Sequence, residues 1–284
     1  MAYLSEVKKE IEFYKDFSSL VETLKNLALF QFHTAQRNLK TFDFFPKAVK
    51  SFLNMLDLAD INHPFLQESK KGVLGIIAVT SDEGFLGGLN NRVMNAAMDF
   101  SKEREISIIV VGRQGQKYTQ GKNLHVVTFP NAEDGTKSPQ AGQIKKYVLT
   151  EVAKGSLTSV KIIYPKAFSL TSQRIEILTL LPFAELFKNE SADITRDYSK
   201  IIFESSTNDI IEYLAYLWVG QRICEILDVS HVAEYAARYI HLEESTDKIK
   251  EDIKKLQLKY FKIRHSIIDQ QMRELSTAKA ILAK

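Results

Sequence analysis

Residues 232–267 read VAEYAARYIHLEESTDKIKEDIKKLQLKYFKIRHSI, and apolar side chains recur along this stretch at alternating steps of three and four residues. This spacing places them on one face of an α-helix. Sustained over about five heptads, it is typical of a coiled-coil seam. The seam consists of Val232, Tyr235, Tyr239, Leu242, Thr246, Ile249, Ile253, Leu256, Tyr260, Ile263 and Ile267. Past Ile267 the register shifts, and the apolar residues become Ile268, Met272, Leu275, Ala278 and Leu282, a change that alters the supercoil locally.

The N-terminal segment carries a looser stripe of the same kind, and it predicts a partner for the C-terminal helix. Its members are Leu4, Val7, Ile11, Tyr14, Phe17, Val21, Leu24, Ala28, Phe32 and Ala35. Residues 1–45 and 221–284 contain neither Gly nor Pro, the two residues that cost most inside a helix. One terminal helix enters the middle of the chain and the other leaves it, so we expect the two to pair antiparallel. The alternative is that each terminal helix packs on a globular core. It is disfavoured because a C-terminal helix of roughly 90–100 Å would be longer than a compact core could cover.

The middle of the chain alternates short β-branched runs with helix-like segments, which predicts a mostly parallel sheet covered by helices. The last two runs are joined by a short connection and are expected to form an antiparallel hairpin. The predicted helices lie near 90–102, 113–120 and 140–154. The predicted strands are GVLGIIAV (72–79), ISIIVVG (106–112), LHVVTF (124–129), SVKIIY (159–164) and RIEILTLL (174–181).

A glycine-rich turn follows the first predicted strand in AVTSDEGFLGGLNNRV, residues 78–93. It lacks the lysine and hydroxyl of a Walker loop, and its glycine spacing does not match the dinucleotide-binding motif. Glycines allow a tight turn, and Asp and Asn side chains can hydrogen-bond its backbone. We therefore interpret the loop as a structural turn or a docking point for another chain. Its residues are Asp82, Gly84, Gly87, Gly88 and Asn90.

Composition narrows the remaining function classes. A net charge of +3 without a dense basic run argues against nucleic-acid binding. A single cysteine, Cys224, excludes an internal disulfide, and the six histidines are too scattered for a metal cluster. Neither a nucleophile elbow nor a zinc-binding histidine pair occurs, so no catalytic, cofactor or metal site is expected. The charged start is unlike a signal peptide, and no apolar run reaches the roughly 18 residues of a membrane span. These features predict a cytosolic protein.

Several motifs resemble the γ subunit of F-type ATP synthases. TSDEGFLGGLN (80–90) is similar to that family's T-S-D-x-G-L-C-G-x-L-N, and AEYAARYIHLEEST (233–246) is similar to its S-E-x-x-A-R-M-x-A-M. LQLKYFKIRHSIIDQQMRELSTAKAIL (256–282) resembles the closing L-T-L-x-Y-N-x-x-R-Q-x-x-I-T-x-E-L-x-E-I. Weaker likenesses occur at LTLLPF (178–183) and KIIFESS (200–206). The resemblance covers most of the chain in the family's order.

The resemblance implies a non-catalytic rotor shaft: an antiparallel coiled coil inside a ring of α and β subunits, above a Rossmann-like α/β domain that rests on the ε subunit and the membrane rotor ring. It implies domains at 1–70, 71–205 and 206–284, no cofactor, and a peripheral place on the cytoplasmic face of the cell inner membrane, reached only through the complex. Arg264 matches the arginine that meets a β-subunit loop, and His265 replaces the glutamine beside it. The implied sleeve contacts are Met272, Leu275, Ile281 and Leu282, and the implied foot contacts are Phe203 and Glu204.

The chain also departs from the family pattern. SLVETLKNL (19–27) replaces a basic strip, Phe261 replaces an asparagine, Leu86 a cysteine and Ser205 a proline. These changes indicate a divergent member, and they leave open a shaft specialised for ATP hydrolysis. A stand-alone coiled-coil adaptor with an α/β head and a nucleotide-using enzyme are the competing hypotheses.

Overall fold

The computed structural model describes residues 2–39, 44–53, 55–56, 63–67, 72–121, 125–131, 137–183 and 204–282. The helices are α1 (Ala2–Asn38), α2 (Phe44–Leu53), α3 (Leu89–Asp99), α4 (Arg113–Thr119), α5 (Lys137–Ala153) and α6 (Thr207–Leu282), with a 3-10 turn at Phe100–Lys102. The strands are β1 (Leu74–Val79), β2 (Ile106–Val111), β3 (His125–Phe129), β4 (Ser159–Ser169) and β5 (Ser172–Leu181). No helix within these ranges has the length and apolar character needed to cross a bilayer.

The chain divides into two compact units. The first combines the residues up to Phe30 with those from Arg238 onward, and the second runs from Gln31 to Ala237. Helices α1 and α6, of 37 and 76 residues, each contribute to both units.

The first unit is a pair of antiparallel helices. Val21 of α1 packs in one cluster with Leu242 and Ile249 of α6, whereas Tyr3, nearer the start of α1, contacts Lys259, farther along α6. Thr246, the polar residue of the predicted seam, is buried, and its hydroxyl donates to the Leu242 carbonyl at 2.8 Å. Its polar group is therefore satisfied inside the helix, and the predicted pairing of the two terminal helices is confirmed.

The seam on α1 differs from the prediction at two positions. Val7, Ile11, Val21 and Ala28 are buried as expected, but Phe17 and Leu24 are exposed. An α-helix has about 3.6 residues per turn, and at this period Phe17 and Leu24 lie to one side of the line that the buried residues form along the helix. These two side chains belong to a different face of α1.

The second unit is built on one sheet with strand order β3-β2-β1-β4-β5. The β1–β2, β1–β4 and β2–β3 pairs are parallel, and β4–β5 is antiparallel, as the sequence predicts. Every residue of β1 and β2 is buried, because strands in the middle of a parallel sheet are covered on both faces.

Alternate residues of the central strands β1 and β2 belong to two separate apolar clusters. Ile77 and Ile109 lie in a cluster with Trp218 of α6, while Ile76 and Ile108 lie in another with Met94 of α3. The two clusters follow from the period of two along a strand. The Trp218 indole N–H donates to the Leu180 carbonyl at 3.2 Å, which satisfies its polar atom inside the core.

The sequence pattern does not predict helix α2. Pro46 lies in its first turn, where a missing N–H breaks no helical hydrogen bond. Phe45 stacks on Trp218 with ring centroids 6.3 Å apart, so tertiary packing holds this helix in place.

Candidate functional site

The glycine-rich turn is closed by hydrogen bonds between its two ends. The Ser81 backbone N–H donates to the Asn90 side-chain oxygen at 3.0 Å, and the Asn90 amide donates back to the Ser81 hydroxyl at 2.9 Å. The Ser81 hydroxyl in turn donates to the Glu83 carbonyl at 2.7 Å. Asn90 stands in the first turn of α3, so this pair fixes the start of that helix against the end of β1.

Asp82 joins the loop to the segments that follow β2 and β3. One carboxylate oxygen accepts the backbone N–H of Arg113 at 2.7 Å and that of Asn131 at 3.4 Å. The Arg113 Nε lies 3.6 Å from the other carboxylate oxygen. Three loops at the carboxyl edge of the parallel strands are thus held by one side chain. Sequence reasoning finds Asp82 but not its partners, because both lie far along the chain.

Backbone geometry explains why glycine is required at two positions on this edge of the sheet. Gly88 precedes α3 with φ of +84°, in the left-handed region that glycine adopts without strain. Gly112, after β2, has φ of +97°, and a Cβ there would lie 2.2 Å from the Thr80 carbonyl oxygen. The Thr80 hydroxyl completes the contact by donating to the Val111 carbonyl at 2.6 Å and accepting from the Gly115 N–H at 3.0 Å.

Helix α6 lies against this same edge of the sheet. Leu86 and Leu89 pack with Ala237 in one buried cluster, and the Asn131 amide donates to a Glu234 carboxylate oxygen at 3.2 Å. In open α/β sheets, ligands bind outside the carboxyl ends of the strands. Here loop and helix side chains contact one another at that edge, so the geometry favours a structural role for the loop over nucleotide binding.

The predicted partner-contact residues on α6 belong to the first unit. Arg264 and His265 are exposed on the helix surface, and Met272 and Leu275 are each 64% exposed. All side chains from Ile268 to Ala278 are exposed. These side chains are exposed because α6 is longer than its partner. Lys259 contacts Tyr3, near the start of α1, so the part of α6 that follows Lys259 has no described residue of α1 beside it.

The remaining predicted contact residues lie at the margin of the described ranges. Ile281 and Leu282 fall within α6, but their side chains are not among those described, and Phe203 lies outside the described residues altogether. Glu204 is exposed, three residues before α6. The structure therefore gathers the five loop residues at one site and leaves Arg264 and His265 to a different unit.

A separate cavity of about 480 Å³ lies between α5 and the start of α6. Its lining is largely apolar and aromatic: Phe65, Leu149, Thr150, Ala153, Asp209, Glu212, Tyr213 and Tyr216. At its border, His63 Nε2 is 3.9 Å from a Glu212 oxygen, and His63 Nδ1 accepts the Phe65 N–H at 3.2 Å. Burial lowers the pKa of His63, against the smaller opposing effect of Glu212, and this favours the neutral imidazole.

The described part of the chain contains no group of three or more His, Cys, Asp or Glu side chains placed to hold a metal ion.

Comparison with known proteins agrees with this architecture. A family model described as ATP synthase matches residues 3–281. The ATP synthase gamma chain of Bdellovibrio bacteriovorus is 26% identical over 287 residues, 97% of each chain. The gamma chain of Clostridium pasteurianum is 33% identical over 204 residues, 70% of this chain and 69% of that protein. The rotor of the Euglena gracilis mitochondrial ATP synthase contains a chain with a TM-score of 0.66 at 17% identity, covering 94% of this chain and 99% of that one.

A long antiparallel helix pair joined to a small α/β sheet is thus the fold of an ATP synthase central-stalk component. The chain belongs to the ATP synthase γ chain family, and its function is that of the central rotor shaft of a rotary ATP synthase.

Proposed function

We propose that the helix pair of this chain turns inside a ring of α and β subunits, with Arg264 and His265 meeting a β subunit and the end of α6 held in an apolar sleeve. The observation that supports this most directly is the run of exposed side chains from Ile268 to Ala278. It includes Met272 and Leu275, which would remain in water on an isolated helix. Large apolar side chains grouped in this way mark an interaction surface.

The α/β unit serves as the base of the shaft in this proposal. Asp82, Asn90 and the neighbouring glycines hold the loop against α6, and they act structurally rather than by binding a ligand. Phe203 and Glu204 would contact the membrane rotor ring, as the sequence resemblance implies, and the ε subunit would bind the α/β unit. Torque applied at the base would then pass into α6, which runs without interruption from Thr207 to Leu282.

The shaft itself contributes no catalytic group and binds no cofactor. Its two helices differ in sequence and exposure, so a ring of identical catalytic subunits would meet a different surface at each position. Each catalytic site would then bind nucleotide with a different affinity, which is coupling between sites through one rigid element. We place the complex at the cytoplasmic face of the cell inner membrane, with this chain attached only through its partners.

Recovery of the complex tests this assignment. A mild-detergent pull-down on the tagged full chain, with quantified subunit ratios, should return two larger nucleotide-binding subunits in several copies per shaft. Stable partners without such a ring would indicate an adaptor instead. Recovery of the monomer alone would defeat the proposal.

Arg264→Ala should lower the ATP turnover of the assembled complex about three- to tenfold. A factor of ten corresponds to about 1.4 kcal/mol, which is close to the lower end of the net contribution of a hydrogen bond to a charged group. The matched control is Lys254→Ala, which removes an exposed cation from the same helix and should leave turnover unchanged. Equal turnover in the two variants, with both complexes fully assembled, would remove Arg264 from the contact.

A further inference from the structure

A short turn at residues 63–67 is held in the α/β unit by backbone hydrogen bonds. Two N–H groups of the turn donate to the His63 carbonyl oxygen, at 2.9 and 3.2 Å. The Phe65 carbonyl accepts the Phe183 N–H at 3.0 Å, shortly after β5. Phe65 is 4% exposed, packs in the larger core cluster of the unit and lines the cavity between α5 and α6. The position of Phe65 in the core therefore depends on the shape of this turn.

The His63 side chain stabilises the turn in its neutral form. Its Nδ1 accepts the Phe65 N–H at 3.2 Å. A ring nitrogen that accepts carries no proton, so the proton of this form is on Nε2. Nε2 lies 3.9 Å from a Glu212 carboxylate oxygen on α6. The residue is 9% exposed, and its ring centroid is 5.0 Å from that of Phe65. One buried side chain thus lies against both the turn and the start of α6.

Protonation of His63 would remove the acceptor on which this arrangement depends. The imidazolium ion carries an N–H on both ring nitrogens. Its Nδ1–H would face the Phe65 N–H, and two donors would oppose each other. A buried donor without an acceptor is costly, and so is a buried charge. Both costs are relieved when the turn opens and the ring reaches water.

We propose that His63 is an acid-sensitive latch, which in its neutral form holds the 63–67 turn and Phe65 in place and on protonation releases both from the wall of the cavity between α5 and α6. The released state exposes part of the core next to the start of α6. A latch of this kind makes the packing of the α/β unit respond to pH, a property that the shaft function does not supply. It does not depend on the ring contacts proposed above.

His63 is the titrating group of this site over the pH range of the latch. Glu212 of α6 is the charged residue that acts on it within the described ranges. Asp209 also lines the cavity, and one of its carboxylate oxygens accepts the Ser206 hydroxyl at 2.6 Å. Helix α5 contributes three uncharged residues to the cavity wall, and α6 adds two tyrosines. Of these side-chain types, only imidazole ordinarily titrates between about pH 5.5 and 7.5.

Urea unfolding of the full chain at about pH 7.5 and about pH 5.5 tests the latch. Burial lowers the pKa of His63, against a smaller opposing effect of Glu212, so the unfolded chain binds this proton more readily than the folded chain. The stability that depends on neutral His63 is therefore complete above about pH 6.5, the value for an unperturbed imidazole, and is lost as the pH falls to the folded pKa. Over this interval the unfolding equilibrium constant of the wild type should rise about three- to tenfold more than that of His63→Asn.

His63→Asn keeps the acceptor and removes the titration. An asparagine side-chain oxygen can accept a backbone N–H two residues ahead, as Nδ1 does here, but it takes up no proton in this range. His33→Asn is the matched control, because it removes an exposed histidine from the same unit and should keep the pH dependence of the wild type. The same pH dependence in His63→Asn as in the wild type, or an equal loss of it in His33→Asn, overturns the proposal.

Hydrogen–deuterium exchange on the full chain shows whether the turn opens by itself. A latch predicts that the amide of Phe65 exchanges through a local opening, faster than the global unfolding measured in urea allows. After correction for the intrinsic rate, this exchange should speed up about three- to tenfold from about pH 7.5 to about pH 5.5 in the wild type and remain unchanged within about twofold in His63→Asn. Exchange of Phe65 only through global unfolding, or an equal response in both proteins, would contradict a local latch.

Discussion

Gly112→Ala is expected to destabilise the α/β unit by more than about 3 kcal/mol, because strain and steric overlap act together. The residue has φ of +97°, and the added Cβ would lie 2.2 Å from the Thr80 carbonyl oxygen, 2.7 Å from its carbonyl carbon and 2.9 Å from the Ser81 oxygen. All three are backbone atoms, so no side-chain rotation relieves the overlap. The segment would have to move, and with it the bonds that tie Thr80 to Val111 and Gly115.

Urea unfolding followed by the fluorescence of Trp218 measures this effect. Trp218 is the only tryptophan of the chain and is buried in the α/β unit. Gly121→Ala is the matched control: Gly121 has φ of +79°, but no atom lies within 4 Å of a Cβ built there, so the cost should be only about 1–2 kcal/mol of backbone strain. Equal losses of stability in the two variants would show that the contact with Thr80 is not the cause.

Leu242→Asp is expected to destabilise the helix pair by about 3–5 kcal/mol, since it removes a buried side chain and places a carboxylate in its position. Leu242 is 5% exposed and packs with Val21 and Ile249 between the two helices. The charge would have no partner in that cluster. Thermal melting followed by circular dichroism at the helix band should show loss of helix at a lower temperature.

Leu258→Asp gives the control for this second result. It makes the same chemical change on the same helix, but Leu258 is 63% exposed, so the expected cost is below about 0.5 kcal/mol. Melting curves shifted equally by the two substitutions would mean that Leu242 is not part of a packed seam, and the assignment of the helix pair would fail with it.

At the glycine-rich loop, the local sequence predicts the residues that form the turn but not the residues that they bind. Asp82 and Asn90 are recognisable because a turn between a strand and a helix needs short polar side chains close in sequence. The Asn90 bond to Ser81 spans nine residues. The bonds from Asp82 to Arg113 and Asn131 span 31 and 49 residues, so they depend on which strands become neighbours in the sheet. Nothing in the loop itself indicates that choice.

The sequence by itself determined the two long helices, because hydrophobic spacing and the absence of Gly and Pro act within a few residues. The place of these helices at the two ends of the chain predicted their antiparallel pairing, and the alternation of β-branched and helix-like runs predicted the strands between them, although not α2. The tertiary structure alone decided which face of α1 is buried. Val21 and Phe17 both follow an apolar pattern, yet one packs on α6 and the other is exposed. A helix with two apolar faces can bury either, and the position of its partner selects between them.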